Sequence, residues 1–348
     1  MQIIILILGL INYAEFSVIN YSRQQRLLIV SLDGFRHDYI ERYHLDNFKS
    51  FLNKDQASKA PYMNPQFTTQ TFPNHWSIVT GSYVENHGII ANSFFDPKLN
   101  ETFSRENENY SNLKWWNSSR PIWFSSVDQG LKTASYFWPG SDALFSDSSL
   151  YKRLDFNKSI TFENKVDEII NWFVKEKYIF ITMYHHQPDA AAHRYGLDST
   201  EFNKTIKEVD KSFGYLIKKL KESKLFDSDD FNLIVLSDHG MVNIKDYIIL
   251  DDYINGNDTL VWSETGNLIH FKPLINQDIF FSGIKKIPNT SAYFKKDLPE
   301  KFHYKYNNRI GDIVLIADEG YGMILMYGKK LRNGQNPPEN YEDKKKLL

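Results

Sequence analysis

Three uninterrupted apolar runs do most to limit the fold: Leu27–Leu32 (LLIVSL), Tyr178–Met183 (YIFITM) and Asn232–Leu236 (NLIVL). Branched residues without polar alternation predict strands covered on both faces of a mostly parallel sheet. Ala134–Trp138 reads as a further strand, closed by Pro139-Gly140. Helical spacing of Val166, Ile169, Ile170 and Phe173 predicts a helix over Thr161–Lys175. A longer helix over Glu201–Lys221 carries Val209, Phe213, Leu216, Ile217 and Leu220 on its inner stripe. Strands alternating with helices predict an α/β fold, a mostly parallel central sheet flanked by helices. From about Ile248 the pattern changes to short strands and turns, predicting a smaller α+β insertion. The division expected is a signal-peptide-like segment at 1–20, a core over 25–248, the insertion over 249–327 and a disordered tail over 328–348.

Each main run leads into residues that bind metals. Asp33-Gly34 ends the first, and Asp238-His239-Gly240 ends the third. After the second, Pro188-Asp189-Ala190-Ala191-Ala192-His193 predicts a short helix, with Asp189 and His193 four apart on one face. In open α/β sheets, the carboxyl ends of strands are where ligands bind. Thr71-Phe72-Pro73 opens a helix expected to run to about Gly81, placing the Thr71 hydroxyl at a helix N-terminus that favours phosphate. Each feature alone equally fits a structural role: a capping Thr, a turn-opening Asp, a surface Asp/His pair, a hydrogen-bonded His. Together they suit mixed Asp/His ligation of zinc, with manganese or iron as alternatives. Two ions about 4 Å apart would clamp the attacking and leaving oxygens of a phosphoryl transfer, and Asn92 can donate to a phosphate oxygen. Downstream of Asn92, Phe94-Phe95-Asp96-Pro97 reads as an aromatic turn, followed by a polar excursion anchored by Trp115 and Trp116.

Composition narrows the function. At 348 residues, 42% apolar and 24% charged, the chain is globular, and a net charge of -2 gives no footprint for a nucleic-acid duplex. No cysteine is present, which excludes disulfides, thiolate zinc and cysteine nucleophiles. Walker, G-x-S-x-G and H-E-x-x-H motifs are missing as well. Ile3–Ile11 is too short to span a bilayer and fits a signal-peptide core, and no other run reaches membrane length. Glycosylation sequons start at Asn20, Asn100, Asn109, Asn117, Asn157, Asn203, Asn257 and Asn289. The expectation is a secreted protein carrying N-glycans, or a cell-surface protein in a longer form.

The ordered segments LIVSLDGFR, TFPNH, VTGSYVENHGIIAN, FWPGSDA, PDAAAHRYG, LSDHGM, KFHYKYNNRI and ADEGYG resemble the ectonucleotide pyrophosphatase/phosphodiesterase family of the alkaline-phosphatase superfamily. ENHGIIANSFFDP is most similar to the membrane-anchored, nucleotide-cleaving members. The resemblance implies an alkaline-phosphatase-like fold and extracellular hydrolysis of nucleotide phosphodiester or pyrophosphate bonds. Thr71 would be the nucleophile, forming a phosphothreonyl intermediate. Asp33, Thr71, Asp238 and His239 would hold one Zn2+, Asp189 and His193 the other, and Asn92 would line the oxyanion pocket. Phe72 occupies the base-stacking position, with Phe156 as its opposite face where relatives tend to have Tyr. Two departures stand out: Gln70 replaces a Lys before the nucleophile, and no G-x-H-G-Y-D-N segment follows ADEG. The second zinc then lacks its last His, and a C-terminal truncation is the corresponding expectation. The alternatives are a nucleotide-binding protein of impaired activity, and a choline-phosphodiester or lysophospholipid phosphodiesterase.

Overall fold

The computed structural model describes residues 24–54, 57–107 and 109–325, with the backbone alone at Lys329–Lys330. The expected leader at 1–20 lies outside the described residues, as does the expected tail apart from those two positions.

In chain order, the first strands are β1 (Arg26–Leu32), β2 (Ser93–Asp96), β3 (Glu101–Ser104), β4 (Thr133–Tyr136) and β5 (Tyr151–Leu154). β6 (Phe180–His185), β7 (Phe231–Leu236) and β8 (Asp246–Ile249) follow. The remainder are β9 (Thr259–Glu264), β10 (Leu268–Pro273), β11 (Thr290–Phe294), β12 (Ile313–Ala317), β13 (Tyr321–Ile324) and β14 (Lys329–Lys330). The α-helices begin with α1 (Tyr39–Arg42), α2 (Asp46–Leu52), α3 (Thr71–Thr80), α4 (Val84–His87) and α5 (Ile122–Asp128). They continue with α6 (Phe162–Asn171), α7 (Asp189–Tyr195), α8 (Thr200–Glu222) and α9 (Gln277–Ile284).

The central sheet has the order β5-β4-β6-β1-β7, with every neighbouring pair parallel. β1 explains why its sequence is apolar throughout. Leu28, Val30 and Leu32 face a core built with Val166 and Ile169 of α6 and Phe213 and Leu216 of α8. Ile29 faces the other way, into a cluster with Trp76, Trp116 and Trp138. Both faces are thus covered, as parallel sheets require. α6 begins one residue later than its apolar spacing implies, because the Thr161 side chain caps it by accepting from Asn164 N–H.

β7 departs from expectation. Among the described residues it is the outermost strand of the sheet, and Ile234 is 45% exposed rather than covered. A branched apolar run reads alike for a central and an outer strand, since the run itself carries no record of what lies alongside it. The expected aromatic turn is also corrected: Ser93–Asp96 is a strand, paired antiparallel with β3, with Phe94 and Phe103 stacked across the hairpin. The aromatic anchor behind it holds, for Trp115 and Trp116 are fully buried.

A second sheet, β11-β12-β10-β9-β14, is antiparallel except where β14 joins β9. Ile269, Phe271, Ile313 and Leu315 on one of its faces pack against Phe280 and Ile284 of α9. Leu268 and Val314 on the other face join the tryptophan-rich cluster behind the central sheet. Both sheets therefore share a core beside α3.

Candidate metal and nucleotide site

The carboxyl ends of β1, β6 and β7 converge because their registers align, with Ser31 opposite both Tyr184 and Leu236. Asp33, next after β1, is 1% exposed, and Asp238, just beyond β7, is fully buried. Asp189 opens α7, and its N–H donates to the Asp33 carbonyl at 3.0 Å, tying that helix start to the end of β1. Gly34 permits this approach: its φ is +69°, and a Cβ there would stand 2.9 Å from Asp189 Cβ.

Each carboxylate is only partly satisfied. Asp33 Oδ2 accepts from Tyr184 Oη at 2.5 Å and from Thr71 Oγ1 at 3.5 Å. Asp238 Oδ1 accepts from the N–H groups of Gly34 (3.1 Å) and His239 (2.9 Å). Asp33 Oδ1, Asp189 Oδ1 and Asp238 Oδ2 are buried with no hydrogen-bond donor. The His239 ring donates from Nδ1 to the Gly240 carbonyl at 3.0 Å, and its Nε2 stands 3.5 Å from Asp33 Oδ1 and 3.4 Å from Asp238 Oδ2. Buried carboxylate oxygens without donors are relieved by a cation placed among them, and an Nδ1–H bond to a carbonyl is a common arrangement of metal-binding histidine. Ligand atoms of Asp33, Asp189 and His239 lie within 4.8 Å of one another. These residues fit a metal ion.

The electrostatics agree. Burial, then the charges of Asp238 and Asp189, push the Asp33 carboxyl well above its usual range. Burial acts on Asp238 in the same direction, but His75, His239 and the Gly34 N–H outweigh it and hold that carboxyl below its usual range. Burial and the adjacent Asp33 raise Tyr184 far above an ordinary phenol, so it remains a donor. Crowded carboxylates that resist ionising together are what a bound cation relieves.

The two ligand sets implied by the resemblance meet here. Asp189 stands within ligand distance of Asp33 and His239, so the sets border one another. His193 is at the surface, its side chain 59% exposed and its Nε2 3.3 Å from Asp189 Oδ1. Among the described residues, no group of three metal-binding side chains includes His193.

Thr71 is the first residue of α3, and Gln70 rather than Thr71 is the N-cap. The approach to it is strained: Thr68 and Thr69 have φ of +89° and +40°. Asn74 fastens this bend, accepting from Gln66 N–H at 2.7 Å and donating to the Gln70 carbonyl at 3.0 Å. Asn92 lies alongside. Its Oδ1 accepts from Phe72 N–H at 2.9 Å, which leaves Nδ2 as the donor of that side chain. Phe72 is buried against Phe103 and Trp116. Phe156 is 41% exposed and packs against Phe137, Tyr184 and His186, not against Phe72.

His75 and Tyr184 escaped the sequence reading. His75 donates from Nδ1 to the Thr71 carbonyl at 2.8 Å, and its Nε2 accepts from Ser31 Oγ at 2.8 Å. Burial keeps its pKa below the usual value. It thus backs Asp238 at 3.4 Å. Its spacing of four from Thr71 was the available signal; Tyr184 left none, because its role depends on pairing between distant strands.

The comparisons with known proteins agree with this geometry. The family described as Type I phosphodiesterase / nucleotide pyrophosphatase matches residues 27–346. Human ectonucleotide pyrophosphatase/phosphodiesterase family member 5 is 36% identical over 305 residues, covering 86% of this chain and 63% of its own length. A bis(5'-adenosyl)-triphosphatase of Xenopus laevis is 36% identical over 307 residues, 86% of this chain and 66% of its own. The chain thus spans just under two thirds of these curated relatives. The solved structure of the murine family member 5 superposes with a TM-score of 0.81 at 35% identity, covering 88% of this chain and 81% of that one. An inactive variant of the same murine protein, in complex with AMP, gives 0.80 at 35% identity, covering 86% and 80%. With the fold, the convergent strand ends and these matches in agreement, the chain belongs to the type I phosphodiesterase / nucleotide pyrophosphatase family.

Proposed function

We propose that this protein hydrolyses nucleotide phosphodiester or pyrophosphate bonds outside the cell, through a phosphothreonyl intermediate at a two-zinc site. The observation that carries the reading is Thr71 Oγ1 held 3.5 Å from Asp33 Oδ2, beside three buried carboxylate oxygens without donors. Asp33, Thr71, Asp238 and His239 would hold one zinc, and Asp189 with His193 the other. Zinc bound there would supply Lewis acidity and lower the Thr71 hydroxyl pKa.

The residues of the chain do the rest. Thr71 Oγ1 forms the new bond to phosphorus as the bond to the leaving oxygen breaks, and its proton departs toward Asp33 Oδ2. Asn92 Nδ2 donates to a non-bridging oxygen as charge grows there. Water then cleaves the phosphothreonyl ester, restoring the hydroxyl and releasing a nucleotide. Phe72 and Phe156 flank the base. Nucleotide substrates are supported by the bis(5'-adenosyl)-triphosphatase relative and by the AMP complex of the murine structure. The extracellular reading draws support from the sequon asparagines among the described residues, from Asn100 to Asn289, all of which are exposed. No described helix is long and apolar enough to cross a membrane.

The test is hydrolysis of the p-nitrophenyl ester of thymidine 5'-monophosphate, with zinc added or chelated. Thr71→Ala should abolish turnover while keeping AMP binding. AMP binding by wild-type protein without zinc-dependent turnover would support the nucleotide-binding alternative.

A further inference from the structure

Asn92 is held from both sides of Thr71. Its backbone N–H donates to Gln70 Oε1 at 2.7 Å, and its Oδ1 accepts from Phe72 N–H at 2.9 Å. The two neighbours of the nucleophile thus grip one residue, 20 and 22 positions away in sequence, by separate hydrogen bonds. Gln70 is 8% exposed, and its Nε2 is buried without an acceptor. A buried amide that could be replaced by an apolar group of equal length costs stability unless its polar atoms have work to do.

We propose that Gln70 is a positioning residue for the proposed phosphoryl transfer, setting Asn92 relative to Thr71. This inference rests on the phosphodiesterase reading of the same site. The grip involves no metal ligand other than Thr71, and it fixes Asn92 through that threonine's own neighbours. Phe72 N–H holds the amide carbonyl, so Nδ2 keeps its orientation only while the Asn92 backbone stays at its present distance. Gln70 Oε1 sets that distance. Because the Gln70 side chain is neutral, it does so without adding a fixed charge beside the phosphoryl group. Positioning of this kind acts on kcat more than on KM, since the donor engages the charge that develops in the transition state.

The test compares full-length wild type, Gln70→Met, Gln70→Glu, Asn92→Ala and the Gln70→Met/Asn92→Ala pair. Turnover of the thymidine ester is measured alongside hydrogen–deuterium exchange of the peptide spanning residues 89–93. Gln70→Met keeps the length and removes the acceptor. It should lower kcat about 10- to 100-fold, with KM changed less than about 3-fold. In the Asn92→Ala background it should cost nothing further. Exchange at Asn92 should speed up about tenfold or more in Gln70→Met, and Gln70→Glu, which keeps an acceptor oxygen, should restore protection. Full additivity of the two substitutions, or unchanged exchange in Gln70→Met, would overturn the proposal. If wild type has no turnover, the phosphodiesterase reading fails separately, and the proposal fails with it as a statement about catalysis; the exchange arm still decides whether Gln70 holds Asn92.

Discussion

At the scale of single residues, the interior near the site holds histidines that cannot readily take a proton. Burial pushes His87 down to about 3, with the Arg309 charge adding to the effect. Burial likewise pushes His270 down to about 3. His87 accepts Ile89 N–H at Nδ1 and donates from Nε2 to Ser77 Oγ at 2.8 Å, so the neutral ring already has both partners. Their folded values lie below the ordinary value near 6.5, so between those limits the unfolded chain binds protons that the folded chain refuses. The stability they contribute is complete above about pH 6.5 and is lost as pH falls toward 3. Each should add a slope approaching ~1.4 kcal/mol per pH unit across that window. Urea denaturation between pH 4 and 7 would measure it. His87→Asn, which keeps an acceptor for Ile89 N–H, should flatten the profile by about one histidine's share, and an unchanged slope would refute the assignment.

At the scale of elements, two glycines separate the demands of the fold from those of the site. Gly81 ends α3 in the left-handed region at φ +65°, and a Cβ there would meet nothing within 4 Å. Gly81→Ala should cost only the conformational penalty of about 1 kcal/mol, leaving metal affinity at the Asp33, Asp189 and His239 cluster intact. Gly34 has nearly the same φ, +69°, but its Cβ would strike Asp189. Gly34→Ala should part the end of β1 from the start of α7 and weaken metal binding at that cluster about tenfold or more. Zinc titration by calorimetry, beside a melting curve for each variant, distinguishes the two outcomes. The glycines also mark where the sequence was legible. Asp33 and Asp238 were legible because apolar runs lead directly into them, and Asp189 because it opens a short alanine-rich helix four residues before His193, all of which are local facts. Thr71 could be found from the proline two residues later. The outer position of β7, the second bond that holds Asn92 and the donor role of Tyr184 could not, since each depends on which distant segment lies alongside.

At the scale of the whole molecule, the second sheet's chain segment is fastened to the layer that carries Thr71. Arg309, 9% exposed, donates from Nε to Asp96 Oδ2 at 2.7 Å and from Nη1 to the Gly88 carbonyl at 2.7 Å. Tyr304 Oη donates to the Ile90 carbonyl at 2.7 Å, and Glu85 accepts from the N–H groups of Lys305 and Tyr306. The residues around 304–309 therefore brace the stretch from α4 to Asn92. Arg309→Met would strand a buried carboxylate and should cost ~3–5 kcal/mol in urea unfolding. A loss below about 1 kcal/mol would show that the brace is dispensable.

That brace also sets a schedule. Asp96 and Arg309 are 213 residues apart, so a ribosome making about 5–20 residues per second exposes the carboxylate roughly 10–40 s before its partner is synthesised. During synthesis the stretch from α4 to Asn92 has its grip on Gln70 and Phe72 but lacks this brace until nearly the whole described chain has emerged. A nascent chain halted before residue 304 would carry Asp33, Thr71, Asp189 and Asp238 and still lack the outer contacts to Glu85, Gly88 and Ile90.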